Sequence, residues 1–181
     1  MTRLRPTLLL SLLALTAGLV GCGDTPGDVL PDPRDGRSGL QMSGIVGDRQ
    51  IAVSDGLPEV NFGDCDVADG PDRDVCVITR DISGELVVLV FENPDVLVEG
   101  ERVPIADAPC RAVRDCDEVT GAAVVDVLVG AGNARIRAVS GQVTIEVAEP
   151  QNRYRGTFDL RLPDGNLSGR FDLIPRPDEL S

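Results

Sequence analysis

The chain of 181 residues sets 30 acids against 17 basic residues, every one an arginine, and has neither histidine nor tryptophan, for a formal charge of −13. Without imidazole or ammonium groups there is no Ser-His-Asp or Cys-His pair, no imidazole metal site, no Schiff base and no phosphate-cradling lysine loop. The acidic field repels phosphate backbones and argues against nucleic acid as a partner. The aromatic residues Phe62, Phe91, Tyr154, Phe158 and Phe171 are too few for base-stacking platforms or a membrane-barrel girdle.

The first segment places Arg3 and Arg5 before an almost wholly apolar run from Thr7 to Val20, followed by Gly21-Cys22. A basic start, a short apolar run and a small residue before a cut describe a secretory signal over residues 1–21. The run stops at Gly21 and Asp24, short of the roughly 20 apolar residues that a spanning helix needs. Leu19-Val20-Gly21-Cys22 resembles the lipobox of bacterial lipoproteins, and the resemblance covers residues 1–22. It implies cleavage before Cys22, a diacylglyceryl thioether on that sulfur and acylation of the new amino terminus. Each buried methylene contributes about 0.8 kcal/mol, so one chain holds a protein marginally and two or three hold it firmly. The same resemblance, with Gly23 in place of a retention-signalling Asp, implies the outer membrane of a Gram-negative envelope. The membrane partner is thus met through lipid alone.

Residues 22–39 comprise the lipidated cysteine and a linker dense in Gly, Pro and Asp, with almost nothing to bury, which predicts an extended, solvated tether. Residues 40–181 then suit a single all-β domain by length and by 42% hydrophobic content. Short β-branched runs between turn signals predict strands near Leu40–Val46, Gln50–Val53, Glu59–Phe62, Asp74–Thr79, Glu85–Phe91, Ala122–Val129, Ala134–Val139, Gln142–Ala148, Tyr154–Leu162 and Asn166–Ile174. The stretch from Phe91 to Ala122 is too long for a plain loop, so Val96–Val98 or Arg102–Ile105 adds a further strand.

Two loops interrupt this series. The first holds Asp64, Asp66, Asp69, Asp72 and Asp74 beside Gly70, hard oxygens near a bend, as calcium requires; the sequence departs from the EF-hand because Val75 stands where the bidentate glutamate belongs. A solvated acidic loop is the plainer reading, and calcium is the one cofactor to test. The second loop, Ala106 to Glu118, mixes Asp107, Asp115, Asp117 and Glu118 with Arg111 and Arg114, as a recognition surface or a solvated crossover. Beyond Cys22, the even set Cys65, Cys76, Cys110 and Cys116 in an exported chain reads as two disulfides. Local pairing, Cys65–Cys76 and Cys110–Cys116, closes each polar loop, each bridge restricting the unfolded chain by about 2–4 kcal/mol. A four-thiolate zinc site is the rival, but ten and five intervening residues exceed the two to four of zinc ribbons.

Leu86–Phe91 and Val124–Val129 barely alternate, as befits strands covered on both faces; Asp126 within the second run is either an outward residue on a half-exposed strand or a buried carboxylate with a raised pKa. Period two is clearest at the C-terminal end. Tyr154, Gly156, Phe158, Leu160 and Leu162 share one face opposite Arg155, Thr157, Asp159 and Arg161, and Leu167, Gly169, Phe171 and Leu173 share one opposite Ser168, Arg170 and Asp172. With Pro163-Asp164-Gly165 as turn and Val143, Ile145 and Val147 inward on the preceding strand, the three form an antiparallel meander that closes the fold.

The fold expected is therefore an antiparallel β-sandwich or a small β-barrel. The function expected is a lipid-anchored envelope protein that is no enzyme, acting as a binding or structural module. The alternative is a lipocalin-like barrel carrying an apolar ligand, for which Gly156 and Gly169 leave room or else admit a neighbouring strand. A hydrolase using carboxylates alone would bring an Asp/Glu pair together in a cleft.

Overall fold

The computed structural model describes residues 37–63, 74–106, 121–130 and 135–174. The signal, Cys22, the tether as far as residue 36, four of the five candidate calcium ligands (Asp64, Asp66, Asp69, Asp72), Cys65, Cys110, Cys116 and nearly all of the second loop lie outside these residues.

Among the described residues eleven strands follow in order: β1 (Gly39–Val46), β2 (Arg49–Gly56), β3 (Glu59–Gly63), β4 (Asp74–Arg80), β5 (Leu86–Phe91), β6 (Arg102–Pro104), β7 (Val125–Val129), β8 (Arg135–Arg137), β9 (Ser140–Glu149), β10 (Arg153–Leu162) and β11 (Gly165–Leu173). They form a six-stranded sheet in the order β2-β1-β11-β10-β9-β6 and a five-stranded sheet in the order β3-β4-β5-β7-β8. Every strand pairing within the two sheets is antiparallel. Of the two candidates for a further strand, Arg102–Pro104 is the one that pairs, with β9, while Pro94–Val96 makes a 3-10 turn. Proline at the first position of that turn favours it over an extended run.

The meander is present, but it does not close the fold. β9, β10 and β11 sit in the middle of the six-stranded sheet, because β1 pairs along the whole free edge of β11, from Gly39 with Asp172 to Val46 with Gly165. Its hairpin turns at Pro163-Asp164, since Leu162 already pairs with Gly165. Proline presets the first turn residue, and Gly165 takes a φ of 144° that a side chain would resist.

One apolar core fills the space between the sheets: Leu40, Phe158, Leu160, Leu167 and Phe171 from one, Val77, Val87, Leu89, Phe91 and Val127 from the other. The sheets keep separate edge strands, so among the described residues no barrel closes, and the architecture is a sandwich. The two inner-face glycines leave no ligand space. Phe158 lies opposite Gly169 and Phe171 opposite Gly156 in the β10–β11 register, and each ring covers the glycine facing it. A Cβ on Gly169 would stand 2.8 Å from Phe158 Cζ, and one on Gly156 would overlap the Thr144 carbonyl oxygen and meet Phe171 Cζ at 3.2 Å. This is aromatic cover of strand glycines. It fills the room beside these two glycines that an apolar ligand would have used.

The non-alternating runs are buried on both faces, as expected. Val88, Val90 and Leu128 point away from the core yet are buried in a second cluster with Cys76. The tether's last residues are already part of the domain. The Ser38 hydroxyl donates to the Ile174 carbonyl at 2.8 Å and accepts the Ile174 N–H at 2.9 Å, and Gly39 begins β1, so both ends of the sandwich are tied together.

Candidate functional site

Among the described residues two places concentrate polar chemistry, one buried and one open. The buried one lies on the outer side of the five-stranded sheet, where Asp126 of β7, Arg135 and Arg137 of β8, and Glu92 just beyond β5 meet. Register puts Arg137 opposite Asp126. Its guanidinium grips the carboxylate at both oxygens, Nε to Oδ1 at 2.7 Å and Nη2 to Oδ2 at 2.8 Å, and Nη2 also donates to Glu92 Oε1 at 2.5 Å. Arg135 adds Nη1 to Glu92 Oε1 at 3.0 Å and Nε to Asp126 Oδ2 at 3.2 Å. Both carboxyl side chains are fully buried.

Asp126 therefore corrects both sequence alternatives. It points away from the core but is buried, and its pKa is lowered, not raised. Burial pushes it up, yet the hydrogen bonds from Arg137 and Glu92 and the charges of both arginines outweigh that. The raised group is Glu92. Burial first, then the hydrogen bond and charge of Asp126, push it from an ordinary 4.5 to about 8. The arrangement thus favours a proton on Glu92 over one on Asp126. Sequence reading missed Glu92 and both arginines. The available signal was parity: Glu92 continues the outward face of β5, and Arg135-Ile136-Arg137 alternates about an apolar centre.

A pH dependence follows. The unfolded chain releases the Glu92 proton near 4.5 while the folded protein keeps it to about 8, so stability falls as pH rises through that window. The slope is at most about 1.4 kcal/mol per pH unit, and Glu92→Gln is expected to flatten it in urea melts taken between these values. Asp126 acts in the opposite sense, its contribution being lost only as pH falls below its ordinary 3.8. Among the described residues an acid pair thus exists, and both of its carboxyl groups are buried beneath arginines.

Of the candidate calcium ligands, the structure describes Asp74 alone. It opens β4 opposite Gly63 and is buried, so at this position the loop is not the solvated acidic surface that the sequence suggested. Among the described residues no three carboxylate or thiol side chains gather as a metal site. Cys76 is disulfide-bonded, and its side chain is buried in the second apolar cluster.

The open place is a groove of about 590 Å³ on the outer face of the six-stranded sheet. Its hydroxyl side chains, Ser43 of β1, Ser54 of β2, Thr157 of β10 and Ser168 of β11, are all exposed. Ser43 faces Ser168 across the β1–β11 pairing, and Arg170, one row along on that face, lies between Gln41 and Thr157. Short side chains flanked by longer ones hollow the twisted surface. Arg170 is held in place, its Nε donating to Gln41 Oε1 at 2.6 Å. Toward the tether the same face carries ion pairs. Arg153 grips Asp172 at both oxygens, 2.8 and 2.7 Å, and Arg155, directly opposite Asp172, turns instead to Glu146 at 2.9 Å. Asp172 thus takes its two-point grip from the diagonal neighbour and not from the arginine directly across the pairing.

Comparison with protein-family models, with curated proteins and with solved structures finds no match to this chain.

Proposed function

We propose that this chain is a lipid-anchored lipoprotein of a Gram-negative envelope, held at Cys22 on the outer membrane, and that its sandwich is a non-catalytic binding module working through the outer face of the six-stranded sheet. The observation that carries the binding half is the groove: hydroxyls from four strands gathered on one rigid face. Sites built on strands are held more firmly than sites on loops. The anchoring half rests on the lipobox-like residues 19–22, and local pairing of Cys65 with Cys76 and of Cys110 with Cys116 belongs to the same exported-protein reading. The burial of Glu92 and Asp126 supports a packing role for that pair in place of acid/base catalysis.

Fractionation tests the anchor. Wild-type protein is expected to need detergent for release, and Cys22→Ser to leave the membrane fraction without it; wild-type protein in plain buffer washes would refute the anchor. A photoreactive amino acid at the position of Ser43 tests the binding face. It is expected to cross-link to envelope material that the same group at exposed Val98 does not reach, and equal labelling from both positions would refute a site on this face.

A further inference from the structure

Resting on the binding-module reading but not on the lipid anchor, we infer that the groove takes a neutral, polyhydroxylated ligand, a short segment of uncharged oligosaccharide. The chemistry of the lining selects this class. Hydroxyl side chains both donate and accept, as sugar hydroxyls do, and the apolar Met42, Ala52 and Val53 among them suit the C–H faces of a sugar ring, whereas a wholly apolar ligand would strip water from Ser43, Ser54, Thr157 and Ser168. Their layout is a grid, about 5 Å between strands and about 7 Å between same-face residues along a strand, the scale of a pyranose ring. Arg170, fixed by Gln41, presents planar donors beside that grid.

Charge narrows the class further. The chain carries 30 acids, yet none of the residues lining the groove is acidic. Asp159 lies opposite Ser168 in the β10–β11 register and outside the lining. A cationic ligand thus finds no carboxylate inside to hold it, and an anionic polymer meets the repulsion of a molecule of charge −13. Phe158 contributes to the wall but is only 3% exposed, so no aromatic face is offered for stacking and selection runs through hydrogen bonds. The volume, about 590 Å³, lies within the range of small-molecule sites. Being open along the sheet, it suits an internal stretch of a chain as well as an end.

The test is an NMR titration of the full-length chain in detergent micelles with maltotriose and with a trimer of N-acetylglucosamine. Amide shifts are expected on β1, β2, β10 and β11 around Ser43 and Ser168, with a Kd on the order of 1 mM. Ser168→Leu and Ser43→Leu, which fill the groove from exposed positions, are each expected to weaken binding at least roughly tenfold while leaving the melting temperature unchanged. Silence with both sugars, shifts centred elsewhere, or tighter binding of a galacturonate trimer or an extended peptide would overturn the inference. If the sugars fail while cross-linking from position 43 persists, the ligand class is wrong and the binding face stands; if both fail, the binding reading falls with it.

Discussion

Arg137→Ala is expected to destabilise the protein by about 3–5 kcal/mol, the cost of leaving buried carboxyl groups without their partner, and to lower the melting temperature by on the order of 10 °C. The guanidinium makes two hydrogen bonds to Asp126 and a short one to Glu92, from a side chain that is itself only 19% exposed. Arg135 cannot replace it, since one of its contacts, to Asp126, is already 3.2 Å long. Removing Arg137 also loosens β8, which has three residues and among the described residues pairs with β7 alone. Glu92→Gln in the same background should recover part of the loss at high pH, where ionised Glu92 is otherwise most costly. Calorimetry of the single and double variants decides the matter. A loss under about 1 kcal/mol, the value typical of an exposed pair, would mean that the cluster is solvated and not buried.

Phe171→Ala is expected to cost a further class of interaction, packing, and again about 3–5 kcal/mol. The ring joins the two sheets: its centroid lies 5.9 Å from that of Phe91 across the core and 6.3 Å from that of Phe158 beside it. It also roofs Gly156, so its removal exposes a strand segment with no side chain of its own to fill the gap. Collapse around the cavity is restricted because the neighbours Leu40, Leu167 and Leu173 belong to strands already in register on both sides. The converse change, Gly156→Ala, does not repair the site. Its Cβ would press on the Thr144 carbonyl, where the β9–β10 register shifts at Arg155 and Gly156, and the expected outcome is a loss of about 1–3 kcal/mol. Chemical denaturation of Phe171→Ala, Phe171→Leu and Gly156→Ala checks the order. Tolerance of Phe171→Ala would show that the sheets are held together elsewhere.

The groove was partly legible. The outward parity of Thr157, Ser168 and Arg170 follows from alternation within β10 and β11, which places them on one face whatever the fold around them. The contribution of β1 and β2 was not, because Ser43, Ser54 and Ala52 become neighbours of Ser168 only once β1 has paired with β11, more than a hundred residues away in the chain. The buried cluster was less legible still. Asp126 stood out as a charge in an apolar run, but its partners come from the end of β5 and from β8, a strand short enough to carry almost no periodic signal.

By itself the sequence determined the class of fold and the set of strands, since period-two alternation, β-branched content and turn residues act within a few residues of one another and need no partner to be expressed. Only the tertiary structure decided that the meander lies inside a sheet, that aromatic rings sit on the inner glycines, and that Glu92 keeps a proton which Asp126 gives up. Each of these depends on which distant strand arrives alongside. Long-range pairing and the desolvation that accompanies it are properties of the assembled sandwich and are written in no single segment.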